Sequence, residues 1–466
     1  MKEVTMKKEK SKLSKAFRAI LILLLLLPTL AWSQQKGEIK VLTLQECLDF
    51  ALKYNPTISL SRERIQEIIQ DYNIARSGLF PTISARGYAS WVDPNRLSPG
   101  GVAKTTALFS QENLASIAGR QNIFDGLKTY YGMKGAKIGE QSQREALRGT
   151  KEDILSQVYQ AYYRLLEAKE TLGVAQESKK QREGFRDMAE ALLKAGKVTK
   201  LDFLRSDSQV IDADQTIVQA QNNIILAKAI LKKTMGLRDE AEIDIPGETT
   251  KISPEQLDEL TLWEKVNQKN SDLKRINLDI ERAKANISLA KADYWPVISF
   301  QAGWGYRNRD IGSAELFGTG KNTFFRFFSG TADEYTYGIF LDYNIFSGGS
   351  TRAAVGKAKS VSLQLEDSKK ALLDQLKVDL NTALSQIRDA LKGMDSAKEA
   401  IAVNQEAYDA TVAMYQAGKV TSLDVMQAQI SLIISKASYV NYYANYQTAL
   451  AQLRKIIGEG ETFYEK

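Results

Sequence analysis

The chain has 466 residues, 44% hydrophobic and 26% charged, with 63 Lys/Arg against 56 Asp/Glu and no histidine. The missing histidine removes the commonest general base and the commonest transition-metal ligand, which weighs against an enzyme. Past the N-terminus no stretch holds 18 consecutive apolar residues, so helical membrane spans are excluded and any membrane segment must be β-strand.

In chain order, Lys7, Lys8, Lys10, Lys12, Lys15 and Arg18 form a basic region ahead of the apolar run Ala19–Leu27. Ala31-Trp32-Ser33 then sets small residues at −3 and −1 of a cleavage site before Gln34. The pattern predicts a cleaved signal peptide over 1–33. That segment carries 7 Lys/Arg and 2 Asp/Glu, leaving +2 of the net +7 to the rest. The basic pI of 9.0 therefore gives no reason to expect nucleic acid as a partner. Cys47, the single cysteine, cannot form an internal disulfide and reads as a small buried hydrophobe.

The remainder is written twice, over 34–237 and 257–466. Asn55 to Pro81 and Asn270 to Pro296 span the same distance, and the prolines open Pro81-Thr-Ile-Ser-Ala and Pro296-Val-Ile-Ser-Phe. Asn122-Ile-Phe-Asp-Gly126 matches Asn344-Ile-Phe-Ser-Gly348, and Ala195-Gly-Lys-Val-Thr-Lys-Leu-Asp202 matches Ala417-Gly-Lys-Val-Thr-Ser-Leu-Asp424. A one-time change of offset between these anchors marks a loop. Pro81, Pro296, Gly126 and Gly348 stand at helix–strand junctions. Residues 238–256, with Ile243-Asp-Ile-Pro-Gly247, read as a linker holding a short extended piece.

After each proline the apolar period is two. Ile83, Ala85, Gly87, Ala89 and Trp91 predict a strand over about 82–92, and Ile298, Phe300, Ala302, Trp304 and Tyr306 one over about 297–307. Partner strands are expected over about 114–124 and 335–346. The former alternates weakly, with Gly119 and Gln121 on the apolar parity, and Phe340 and Phe346 interrupt the polar face of the latter. An apolar, aromatic face opposite a polar one suits the wall of an outer-membrane barrel, and four strands cannot close one alone. Residues 93–113 and 307–334 would be loops, the second carrying the aromatic run 324–328.

Each strand pair is followed by a long helix without proline. Ile154, Val158, Ala161, Leu165, Ala168, Leu172 and Ala175 make a heptad seam, and the second copy repeats it with Leu376, Leu380, Ala383, Ile387, Ala390, Met394 and Ala397. A helix over 127–194 would be roughly 100 Å long, so it must project from any globular body. Gly196 and Gly418 suit the left-handed residue that ends a helix. Thr199 with Asp202, and Thr421 with Asp424, then read as capping boxes of the next helix. Each copy thus contains a helical hairpin with a tip near 194–202 or 416–424; capping alone would account for the two acids.

The order helix, Asn, Pro, strand pair, Asn-Ile-Phe-x-Gly, long helix and Gly-x-x-Thr-x-x-Asp tip, met twice over 41–458, resembles the outer-membrane efflux proteins typified by TolC. The resemblance implies a mixed α and transmembrane-β fold in a homotrimer, each subunit giving four strands to one twelve-stranded barrel. A long α-helical barrel would cross the periplasm, with an equatorial domain around it that includes 238–256. It implies an exit duct of a tripartite efflux or type I secretion system, set in outer-membrane lipid, with a periplasmic adaptor and an inner-membrane pump as partners and no cofactor. Gly196, Val198, Thr199, Gly418, Val420 and Thr421 would touch the adaptor, and Asp202 and Asp424 would line the closed entrance. Gln427 stands where some relatives carry a second acid. The rival reading from the helices alone is a periplasmic coiled-coil adaptor or scaffold; the two proline-led strand pairs argue against it. Gly318-Thr-Gly-Lys-Asn-Thr323 lacks the leading glycine of a phosphate loop.

Overall fold

The computed structural model describes residues 40–91, 111–237, 242–247, 258–310 and 330–459. The expected signal peptide over 1–33, the aromatic run 324–328 and the greater part of both expected loops lie outside them. The first copy holds β1 (Lys40–Val41), α1 (Leu44–Tyr54), α2 (Pro56–Ser77), β2 (Thr82–Trp91), β3 (Gln111–Phe124), α3 (Lys128–Lys194) and α4 (Lys200–Met235). After β4 (Ile243–Asp244) the second repeats the order with α5 (Glu259–Lys269), α6 (Ser271–Lys291), β5 (Val297–Asp310), β6 (Gly330–Asp342), α7 (Ser350–Gln416) and α8 (Ser422–Ile457).

Helices α3 and α7 each have 67 residues, about 100 Å at 1.5 Å per residue. Among the described residues no helix is long and apolar enough to cross a membrane. Helix length here comes from side-by-side packing: α3 lies against α2, α4, α6 and α8, and α7 against α6 and α8. All seven seam residues of α7 are buried, as are Ile154, Val158, Ala161, Leu165 and Ala175 of α3. All of these except Ala175 and Ala397 join one large core with Cys47, Leu48 and Ala51 of α1, Val266 of α5 and Leu450 and Leu453 of α8. Burying one leucine there is worth about 1.5–3 kcal/mol.

A shared device splices the shorter helices end to end beside the long ones. Asn55 accepts from Thr57 N–H at the start of α2 (2.8 Å) and donates to the Thr234 carbonyl at the end of α4 (2.7 Å). In the second copy, Asn270 accepts from Leu273 N–H (2.9 Å) and donates to the Ile456 carbonyl at the end of α8 (3.0 Å). One amide thus satisfies an orphan donor of one helix and an orphan acceptor of another. Gly236 and Gly458, both at positive φ, end the incoming helices. A Cβ on Gly458 would sit 2.6 Å from the Lys269 carbonyl oxygen. Nearby, the linker's extended piece is β4, which pairs parallel with β1. Asp244 there meets Lys169 at 2.8 Å and Lys228 at 3.2 Å.

The four longer strands form one antiparallel sheet in the order β2-β3-β5-β6, so each copy supplies a hairpin and the copies join at β3–β5. The segment expected over 114–124 is part of a 14-residue strand. A register shift between Asn122 and Phe124 leaves Ile123 out of the ladder and lets Phe124 pair with Ile298. Gln121 sits near the helix end of the sheet, where its amide donates to the Leu79 and Asn122 carbonyls. Strand β6, expected to reach 346, stops at Asp342, opposite Val297. The preceding residue on the partner strand is Pro296, which has no N–H to continue the ladder.

Candidate functional site

Two regions carry candidate residues: the hairpin tips and the sheet. At the first tip, Gly196 (φ 67°) takes the left-handed conformation. Its N–H donates to Leu193 O, and Lys197 N–H donates to Leu192 O, both at 2.9 Å. The second tip repeats this, with Gly418 (φ 70°) bonded to Tyr415 O and Lys419 to Met414 O, again at 2.9 Å. These bonds close the last carbonyls of α3 and α7. The chain then turns straight into the next helix. Asp202 Oδ2 accepts from Thr199 N–H (3.1 Å) and Thr199 Oγ1 (2.7 Å). Asp424 Oδ2 accepts from Thr421 N–H and Thr421 Oγ1, both at 2.7 Å.

The two tips also touch. Ser422 Oγ, fully buried, donates to Asp202 Oδ1 at 2.6 Å. That bond, followed by those from Thr199, holds the Asp202 carboxyl below its ordinary pKa. Asp424 is lowered too, by its bonds from Thr421. Gly196, Thr199, Gly418 and Thr421 are exposed, whereas Val198 and Val420 are half-buried. The valines pack on a small core of Phe185, Tyr408, Tyr415, Val425 and Leu432. A cleft of about 610 Å³ runs between the tips, lined on its floor by Leu192, Val198, Tyr415 and Val420. Tyr415, which the sequence reading passed over, is buried, and its hydroxyl has no hydrogen-bond partner among the described residues. Burial, and secondarily the Asp202 charge, pushes its pKa up. Ser422 was missed as well, although it marks the one difference between the two tip octads.

The sheet has two unlike faces. Ile83, Ile117, Phe300, Trp304, Tyr335, Tyr337, Ile339 and Leu341 are exposed and, by parity and register, share one of them. The opposite face holds Arg86, Arg120 and Arg307 with ion pairs Arg120–Asp342 (3.5 Å) and Arg307–Glu334 (3.7 Å). An exposed apolar band of this extent has no place in water. At the helix end of the band stand exposed Phe80, Tyr294, Trp295, Tyr343 and Phe346, amphipathic or aromatic side chains suited to a lipid–water boundary. Pro81 and Pro296 immediately precede β2 and β5. Gly126 and Leu127, and likewise Gly348 and Gly349, form left-handed pairs before α3 and α7. A Cβ on Gly126 would meet Ala292 O at 2.5 Å and Trp295 Cβ at 2.8 Å, while Gly348 has open space around it.

The profile of the outer membrane efflux protein family matches residues 47–237 and 262–459. The chain is 22% identical over 433 residues to the probable efflux pump outer membrane protein TtgC of Pseudomonas putida, covering 91% of this chain and 84% of that protein. It is 22% identical over 316 residues to outer membrane protein TolC of Vibrio cholerae, covering 66% and 68%. Among solved structures it resembles CusC, with TM-score 0.74, 18% identity and coverage of 92% of this chain and 95% of that one. The outer membrane protein VceC of Vibrio cholerae superposes with TM-score 0.72 at 17% identity, covering 89% and 96%. A sheet dressed for lipid, joined to helices far longer than a globular domain and matched over both copies, makes this chain a member of the outer membrane efflux protein family.

Proposed function

We propose that the chain is one subunit of a homotrimeric exit duct, with three four-stranded sheets closing a single twelve-stranded barrel in the outer membrane. The observation that carries this reading is the open sheet itself. It has a lipid-suited face, a charged face, and two edges, β2 and β6, without a neighbour among the described residues. Edges of this length demand pairing, and identical subunits supply it by cyclic repetition.

The helices support the same geometry. Met426, Ile433, Val440 and Gln447 lie at heptad spacing on α8, half-buried or buried, and α8 packs on α3. The equivalent residues of α4 are Leu204, Ile211, Val218 and Ile225, exposed by 50%, 65%, 54% and 66%. A heptad of apolar residues in water is an unfinished coiled-coil seam. The second-copy helix α7 of a neighbouring subunit completes it, as α3 completes that of α8 within the chain.

In this reading 34–237 and 257–466 are the two repeats and 238–256 belongs to an equatorial belt around the helices. The tips face the periplasm, where the exposed Gly196, Thr199, Gly418 and Thr421 and the cleft above Val198 and Val420 receive a helical adaptor fed by an inner-membrane pump. Asp202 and Asp424 border the entrance. Conduction needs no catalyst: a polar, water-filled lumen lowers the barrier to export and the pump supplies the energy. The test is fractionation followed by planar-bilayer recording. The protein is expected in the outer membrane and to form discrete channels whose conductance or cation block changes in Asp202→Asn/Asp424→Asn. A soluble periplasmic monomer without channel activity contradicts the reading.

A further inference from the structure

The two tips are the same octad, Ala195–Asp202 and Ala417–Asp424, apart from one position: Lys200 stands where the second tip has Ser422. That position makes the bond between the hairpins. Ser422 Oγ reaches Asp202 Oδ1 at 2.6 Å, while Asp202 Oδ2 is held in its own cap.

Asp424 has only the second half of this arrangement. Its Oδ2 is occupied by Thr421, and nothing within the described chain donates to Oδ1. Lys200 is exposed and has no partner among the described residues. One donor and one acceptor are therefore left open, at the positions equivalent to a donor and an acceptor that are joined.

Resting on the homotrimer reading, alternate hairpins follow one another around the ring. The rotation that carries the first tip onto the second carries the second onto the first tip of the next subunit. It moves Asp202 to Asp424 and Ser422 to the next subunit's position 200. We propose that the ring of tips is tied across each subunit boundary by an ion pair between Asp424 and the partner subunit's Lys200. Within each subunit it is tied by the hydroxyl bond from Ser422 to Asp202.

Two different fastenings thus alternate around one entrance. The hydroxyl is short and buried, so it fixes the two hairpins of a subunit together. The lysine is a long, flexible, exposed donor whose attraction falls with salt. Subunit boundaries are then the places where the ring parts, and each subunit's two tips move as a unit.

Cysteine cross-linking tests the contact. In Lys200→Cys/Asp424→Cys, oxidation should shift the chain from the one-chain to the two- and three-chain bands on a denaturing gel. In Asp202→Cys/Ser422→Cys it should close a link within the chain and leave its mass class unchanged. Each single variant, carrying buried Cys47 in addition, should give no ladder. A native mass of three chains without a 200–424 ladder overturns the ion pair and leaves the homotrimer standing. A native mass of one chain overturns both. Bilayer recordings give an independent readout: Lys200→Glu should raise conductance, and the exchange Lys200→Asp/Asp424→Lys should return it to the wild-type level. An exchange no closer to wild type than the single variants also overturns the pair.

Discussion

Asn270 accepts from one helix and donates to another, and substitution can separate the two tasks. Asn270→Ala removes both. The lost cap is worth about 1 kcal/mol, and leaving the Ile456 carbonyl unpaired adds about 1–3 kcal/mol. Asn270→Asp keeps the acceptor and loses only the donor, so it should fall between wild type and Asn270→Ala. Hydrogen–deuterium exchange over the first turn of α6 and the last turn of α8 reads both ends separately. The tip acids make a second residue-scale prediction. Both are held below their ordinary pKa, so the stability they confer is complete above roughly pH 4. It is lost as pH falls through the lowered folded values. The melting temperature should drop less on acidification in Asp202→Asn/Asp424→Asn than in wild type. An equal drop assigns acid sensitivity to other groups. The caps were readable from Thr199, Asp202, Thr421 and Asp424 because a capping box lies within four consecutive residues. The double duty of Asn55 and Asn270 was not, since Thr234 and Ile456 lie far off in sequence.

At the scale of elements, the parity of β5 and β6 separates two chemistries on adjacent positions. Tyr337→Arg sets a charge on the lipid-suited face and should lower stability by about 2–4 kcal/mol if the residue lies near the bilayer midplane. Phe340→Arg, on the face of Arg120, Arg307 and Glu334, should be tolerated. Thermal melting of the detergent-extracted protein compares the two; equal losses would mean that the faces are wrongly assigned. The period-two pattern made these strands legible at Ile298–Tyr306. It failed where hydrogen bonding rather than side-chain parity decides. The bulge at Ile123 and the early end of β6 opposite Pro296 depend on which strand pairs with which. The seam of α3 and α7 was legible from heptad spacing. The equally regular Leu204, Ile211, Val218 and Ile225 draw attention only through their exposure, which leaves an apolar heptad uncovered among the described residues.

For the whole molecule, duplication underlies the homotrimer we propose, because it pairs joined contacts with open ones. Three contacts made by the first copy on the second have counterparts that stay open among the described residues. Gly126 is packed and Gly348 is not; Asp202 is bonded by Ser422 while Asp424 Oδ1 waits; α8 is covered by α3 while the α4 seam faces water. Ile211→Asp/Ile225→Asp should therefore weaken assembly while leaving the helical content of the chain unchanged by circular dichroism. Native mass spectrometry of the protein extracted from outer membranes in mild detergent counts the chains. A homotrimer gives a mass of three chains, reduced toward one chain in Ile211→Asp/Ile225→Asp. A wild-type mass of one chain, with channel activity retained, rules the homotrimer out.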